Sequence, residues 1–215
     1  MTTESLSQCE KELLEEFETS SEVGLSTDVA SERRRRSEQP SGARLTPPWD
    51  CPAWACVLLP CINHLPSMKL FRQICPDDAE VLRDGNWVCY DAASLVKGDV
   101  IRLAAGDIVP ADCIILKVEE QLSVDHQHIV QDERKPRLVP VLNITERIPL
   151  YCGGRCLEGS ANAVVTAVGN QTLLASLIRK GKWPLPTTKG NKGDENDEQN
   201  SLLETTEKEK EQEIV

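Results

Sequence analysis

Residues Asp99 to Val118 read DVIRLAAGDIVPADCIILKV, and their reading decides the fold. Two runs rich in Val, Ile and Leu flank a Gly-Asp pair at 106–107 and a proline at 110. In the first run Ile101, Leu103 and Ala105 alternate with other residues, and in the second Ile114, Leu116 and Val118 do the same. A period of two sends such residues to one side of a β-strand, so each set is expected to share a face. Gly106-Asp107 and Pro110 are the turn chemistry between the two strands.

The same grammar extends outward. Upstream, Asp84-Gly85 sits between EVLR and NWVCY, a hairpin signal because glycine tolerates positive φ. Downstream, RCLEGSANAVVTAVGNQT places Val164, Thr166 and Val168 in alternation, with Gly159 and Gly169 as bends. Short strands punctuated by Gly and Pro, without alternating helical segments, predict an antiparallel all-β roll or barrel. Short helices are expected at its entry, Ser67 to Ile74, and at its exit, Thr172 to Lys180.

Composition agrees with one modest domain between polar flanks. The chain has 215 residues, 40% apolar and only 4% aromatic, so its core must rest on Val, Ile, Leu and Ala. The net charge of −11 sits mainly at the ends: ten acidic and six basic residues from Met1 to Thr46, nine and four from Thr188 onward. An acidic balance argues against general nucleic-acid binding, which needs Lys and Arg against phosphates. Residues 1–46 and 181–215 are expected to be a disordered arm and a disordered acidic tail, because neither end offers enough apolar surface to fold alone. Within the arm only Leu13, Leu14 and Phe17 hint at a helix, and Arg33 to Arg36 is expected to be a solvated basic run.

Residues 47–78 form a distinct Cys- and Pro-rich apolar stretch running into the entry helix. Cys51, Cys56 and Cys61 recur every five residues, followed by His64. Structural zinc sites favour tighter pairs, so no metal is expected here. Packing against the folded domain, or docking and lipidation at a membrane or partner, are the two open readings. No apolar run reaches the roughly 18 residues that a spanning helix requires. The start carries no secretory signal, which with the odd count of nine cysteines points to reduced thiols in the cytoplasm, with peripheral association at a membrane as the alternative.

The ordered set of short motifs resembles the actuator domain of P-type ATPases over residues 79–180. It comprises Arg83-Asp84-Gly85, Leu95 through Val100, Gly106 through Asp112, Leu122 with Val124-Asp125, and then Gly153-Gly154, Gly159, Val164-Val165, Ala167, Gly169 and Thr172. The resemblance implies a distorted antiparallel roll in which Gly85, Gly98, Asp99, Gly106, Asp107, Pro110, Asp112, Asp125, Gly159 and Gly169 serve turns. It also implies a catalytic loop. In such pumps an actuator loop reading T-G-E-S reaches an aspartyl phosphate on another domain, and its glutamate orients and deprotonates the attacking water.

That loop departs from the pattern. Counting from Val124-Asp125, the four positions fall on Val130, Gln131, Asp132 and Glu133. The threonine hydroxyl is gone, glycine has become glutamine, and the acid is Asp132, or Glu133 if the register shifts by one. A misplacement of about 1 Å can cost on the order of a hundredfold in rate. Nearby, His126 and His128 are expected to be exposed loop imidazoles, and Cys152 and Cys156 buried, inert thiols. The expectation is therefore a non-catalytic actuator-like module with no cofactor, whose partner is a P-type ATPase or another membrane protein. The alternative is a piece of a full ion-transporting ATPase.

Overall fold

The computed structural model describes residues 8–37, 44–49, 65–129, 138–141 and 147–185. Seven strands form one sheet: β1 Asp78–Arg83, β2 Asn86–Asp91, β3 Val100–Ala104, β4 Asp112–Asp125, β5 Leu138–Val141, β6 Pro149–Leu150 and β7 Arg155–Ala167. Their order is β2-β1-β3-β7-β4-β5, with β6 beside β4, and every strand pair is antiparallel. Among the described residues four α-helices flank them: α1 Gln8–Glu16, α2 Thr27–Arg36, α3 Pro66–Ile74 and α4 Leu173–Arg179. The all-β roll with short entry and exit helices is thus the architecture observed.

The β1–β2 hairpin turns at Asp84-Gly85, with Arg83 opposite Asn86. Both turn residues have positive φ, 50° and 75°, as a two-residue hairpin turn matching the right-handed twist of its strands requires. The long β4 and β7 pair along most of their length, but their register shifts at five places. Each such bulge bends the strand and raises its twist, which is how a sheet curls into a roll. Gly159 sits at one of these close approaches: its φ is +77°, and a Cβ there would lie 2.0 Å from the Gln121 carbonyl oxygen.

The bulges also correct the expected faces. Ala163 faces Ile115, but its neighbour Asn162 faces Lys117, so Leu116 is the extra residue and alternation resets after it. Ile114 and Leu116 pack with Leu82, Val100 and Val164 on one side, while Val118 packs on the main core on the other. Val168 likewise joins the main core rather than the side that holds Val164, because β7 skips a residue between Val165 and Ala167. A strict period of two cannot anticipate a bulge.

The main core is aliphatic, as the composition requires: Val81, Leu95, Ile101, Leu103, Val109, Ile115, Leu122, Val124, Leu150 and Val165 are buried together with small residues of β7. A second cluster corrects the expectation of a disordered N-terminal arm. Leu13, Leu14 and Phe17, on α1 and just beyond it, are buried against Leu82, Val100, Leu116 and Val164 on the opposite face of the sheet. The arm has too little apolar surface to fold alone, but the sheet supplies the other half of the interface. Leu25, Ala30 and Val96 continue the contact. The backbone of Asp84 and Gly85 donates to the Leu25 and Val23 carbonyls, fixing the arm to the hairpin. Gly24 is required at this crossing, since a Cβ would lie 1.9 Å from the Leu82 carbonyl oxygen.

A third cluster joins entry and exit. Phe71 and Ile74 of α3 pack with Leu174 and Ala175 of α4, Cys152, Leu45 and Trp183, with the Phe71 and Trp183 rings edge to face at 6.2 Å. Pro66 occupies the first turn of α3, where its missing N–H costs nothing. Thr172 caps α4, accepting a hydrogen bond from the Ala175 N–H.

Candidate functional site

The strand β4 ends where the candidate loop begins. Its last four residues pair with β5 on one side, Asp125 opposite Leu138 and Leu122 opposite Val141. On the other side Asp125 stands opposite Arg155 of β7. The strand β4 thus ends at Asp125, and its neighbour β5 begins at Leu138. Val130, Gln131, Asp132 and Glu133 lie outside the described residues, as do Cys51, Cys56, Cys61 and His64.

The turn that launches the loop is built in detail. The Asp125 carboxylate accepts the Gln127 N–H at 2.9 Å, and the Ile129 N–H closes the turn onto the His126 carbonyl at 2.8 Å. His126 is 2% exposed, a correction to the expectation of an exposed imidazole. Its Nε2 accepts the Tyr151 N–H at 3.1 Å, and its ring meets that of Tyr151 edge to face at 5.6 Å. An imidazole that accepts at Nε2 must be neutral, with its proton on Nδ1. Burial, opposed weakly by the nearby Asp125 charge, lowers its pKa from 6.5 to about 4. Gly154 lies flush against this ring: a Cβ there would be 2.7 Å from Cδ2. The sequence signal for this mount was the pair Gly153-Gly154, read only as part of the family pattern. His128 is half-buried, and its carbonyl accepts the Trp183 indole N–H at 2.9 Å.

The turn residues are tied to the mount from below. Gly153 and Gly154 exchange backbone hydrogen bonds with Val109, and Pro110 accepts the Cys152 thiol at 3.4 Å. The Asp112 carboxylate accepts the Cys152 N–H at 2.8 Å and the Leu173 N–H at 2.7 Å, joining this segment to the start of α4. Burial raises the Asp112 pKa against the pull of those two donors. Asp99, just before β3, is fully buried and accepts from Arg83 Nε and Nη2 at 3.0 and 2.6 Å and from the Val96 N–H at 2.8 Å. Burial works against the Arg83 charge, but the hydrogen bond and charge of Asp99 outweigh it and hold the pKa above its ordinary value.

The remaining turn positions are equally local. The Asp107 carboxylate accepts the Ala104 N–H, Gly106 donates to the Cys156 carbonyl, and Gly98, at φ +94°, donates to Val165. Gly169 accepts from both the Thr172 N–H and its hydroxyl. Cys152 and Cys156 are buried and unpaired, with burial pushing the Cys156 thiol up to about 12, outside the range of a reactive thiolate. Among the described residues no cluster of His, Cys, Asp and Glu could hold a metal ion. No helix among them is long and apolar enough to cross a membrane.

This geometry meets a family. A model described as the P-type ATPase actuator domain matches residues 73–182, and the chain belongs to that family. A probable plasma membrane ATPase of Dictyostelium discoideum is 36% identical over 104 residues, 46% of this chain and 9% of that protein. Calcium-transporting ATPase 1 of Yarrowia lipolytica is 26% identical over 140 residues, 59% of this chain and 15% of that protein. A crystal structure of a zinc-transporting PIB-type ATPase in the E2.Pi state covers 52% of this chain and 17% of its own, at 22% identity and a TM-score of 0.42. The chain thus spans a small fraction of the relatives it matches.

Proposed function

We propose that this chain is a non-catalytic actuator-like module that binds a P-type ion pump and biases its conformational cycle. The observation that carries the reading is a contrast within one loop. Its mount holds a complete set of turn contacts, whereas the four positions that T-G-E-S occupies in the family read Val130, Gln131, Asp132 and Glu133. Losing the glycine and shortening or displacing the acid removes the positioned base, yet leaves the docking shape that the scaffold sets. Such a module can shift a pump only by binding one of its states more tightly than the other.

The test is photo-crosslinking of the full chain, with a photoreactive residue replacing Gln127, to membranes of its own cell with and without ATP. Recovery of a P-type ATPase, with a yield that depends on ATP, is the expected result. Cross-links only to other proteins would overturn the reading.

A second reading has its own observation. The entry helix α3 and exit helix α4 pack on each other through Phe71, Ile74, Leu174 and Ala175, so the domain is entered and left at one place. That suits insertion of an actuator into a longer transporting ATPase, in which this domain would act in aspartyl-phosphate hydrolysis. An immunoblot against residues 79–178 separates the two: a band near 23.8 kDa supports the module, and a band several times larger in membranes supports the pump.

A further inference from the structure

We propose that the cleft between the N-terminal arm, the loop at residues 95–98 and α4 is a binding site for a phosphoryl group. The cleft has a volume of about 670 Å³ and is walled by Arg33, Arg34, Lys97, Ser176 and Arg179, with Ser37 at its edge. Its carboxylates are already engaged. Glu18 pairs with Arg33 at 3.1 Å and Glu16 with Arg147 at 3.0 Å. Arg36 is taken by Glu32 at 2.6 Å.

Three cations remain with no carboxylate partner among the described residues. Arg34 donates through Nη2 to the Ser94 carbonyl, and its Nε is buried with no hydrogen-bond partner among the described residues. Arg179 reaches the Asn170 carbonyl at 2.9 Å, and Lys97 lies over the Phe17 ring at 5.2 Å. Carbonyls and a ring face orient these groups without neutralising them. A dianion carrying three acceptor oxygens matches that surplus, and guanidinium donors are its strongest partners. The expectation of a solvated run holds for Arg35 and Arg36, which are exposed, but fails for Arg33 and Arg34, which are held on the Phe17, Lys97 and Ser94 carbonyls. Occupancy would bridge the arm through Arg34, the core through Lys97 and the exit helix through Arg179.

Two sources could supply the phosphoryl group. One is a phosphorylated small molecule. The other is Ser37 itself, the residue after α2, half-buried, whose hydroxyl donates to the Arg34 carbonyl at 2.7 Å. It directly follows four arginines, a pattern suited to a protein kinase that reads guanidinium groups ahead of its acceptor. In that step Oγ attacks the γ-phosphorus of a nucleoside triphosphate. The bond from that phosphorus to the bridging oxygen breaks, the diphosphate leaves, and the hydroxyl proton passes to the kinase's base.

The experiment uses the full chain, unmodified or carrying phosphoserine at 37, each with and without the paired changes Lys97→Gln and Arg179→Gln. Both are exposed positions whose change leaves the core intact. Tripolyphosphate is titrated calorimetrically into each, and the phosphoserine second ionisation is followed by phosphorus NMR. If Ser37 is the source, that ionisation falls below its ordinary value of about 6, returns to it in the double variant, and tripolyphosphate binding is lost in the phosphorylated chain. If the source is a free molecule, tripolyphosphate binds the unmodified chain and at least about tenfold more weakly to the double variant, while the phosphoserine titrates normally. Normal phosphoserine titration together with tripolyphosphate binding that is absent, or unchanged by the double variant, overturns the site.

Discussion

The strand β4 begins and ends on an aspartate, and the two do opposite kinds of work. Asp112 at its start is half-buried and reaches across the chain, accepting from Cys152 and Leu173, residues 40 and 61 positions away. Among the described residues Asp125 at its end accepts only from Gln127, two residues on. The first assembles the domain, fixing the segment beneath the loop and the start of α4 in one carboxylate. The second shapes only the turn from which the loop departs. The long-range tie and the local turn therefore belong to opposite ends of one strand.

The sharpest way to test that division is at the scaffold. Asp99→Ala leaves the Arg83 guanidinium, 5% exposed, without its partner in the interior. Breaking a buried pair by removing one member typically costs about 3–5 kcal/mol, so the variant is expected to unfold at much lower denaturant, measured by circular dichroism. Replacing both members, Asp99→Leu with Arg83→Met, should recover much of that loss, since the charge left uncompensated is the larger part of it. A small effect of Asp99→Ala alone would mean that the scaffold does not depend on its buried turn residues.

The loop mount offers a test by pH. The folded-state pKa of His126 is about 4, below the unfolded value of 6.5, so between those limits the unfolded chain binds a proton that the folded one refuses. Stability contributed by the neutral, buried ring is complete above about pH 6.5 and is lost as pH falls toward 4. A pKa difference of one corresponds to about 1.36 kcal/mol, so the total is roughly 3 kcal/mol. Asp112 acts in the opposite sense in acid, because its raised pKa favours protonation in the folded state. Urea titrations at stepped pH should show the decline for the native chain and a flatter profile for His126→Phe. An equal slope in both would place the titrating group elsewhere.

Next comes Asp112→Ala, which strands the Cys152 and Leu173 N–H groups. Leaving buried donors unsatisfied costs about 1–3 kcal/mol each when no water reaches them. Hydrogen exchange should show α4 and residues 151–154 losing protection together, although the two segments are distant in sequence. Loss confined to α4 would mean that Asp112 is only a helix cap.

Much of this scaffold was legible because turns have local chemistry. Asp84-Gly85 declares its hairpin, and Gly106 and Gly159 mark bends at positive φ that favour glycine. The faces of β4 and β7 were not legible, because a bulge inserts one residue with no signature of its own. The arm was misread for a related reason: the apolar triplet around α1 was visible, but its partner surface is assembled from four strands far apart in sequence. His126 was misread because burial depends on Gly154 leaving room for the ring, a contact 28 residues away. At Asp132 and Glu133 the departure from the family's T-G-E-S pattern is legible in the letters alone.

The smallest effect is expected at the other end of β4. Asp125→Ala removes one exposed, short-range hydrogen bond to the Gln127 N–H, worth about 0.5–1.5 kcal/mol, while the backbone pairing of residue 125 with β5 and β7 remains. Its ΔΔG should therefore fall well below that of Asp112→Ala, although the two residues are the same type on the same strand. The informative readout is local. Exchange protection at Gln127 and Ile129 should drop, while that of Cys152 and Leu173 stays unchanged. Comparable global losses for the two variants would show that the loop mount is part of the cooperative core. In that case a change in the loop could not be separated from the fold, and persistence of the domain would need another explanation.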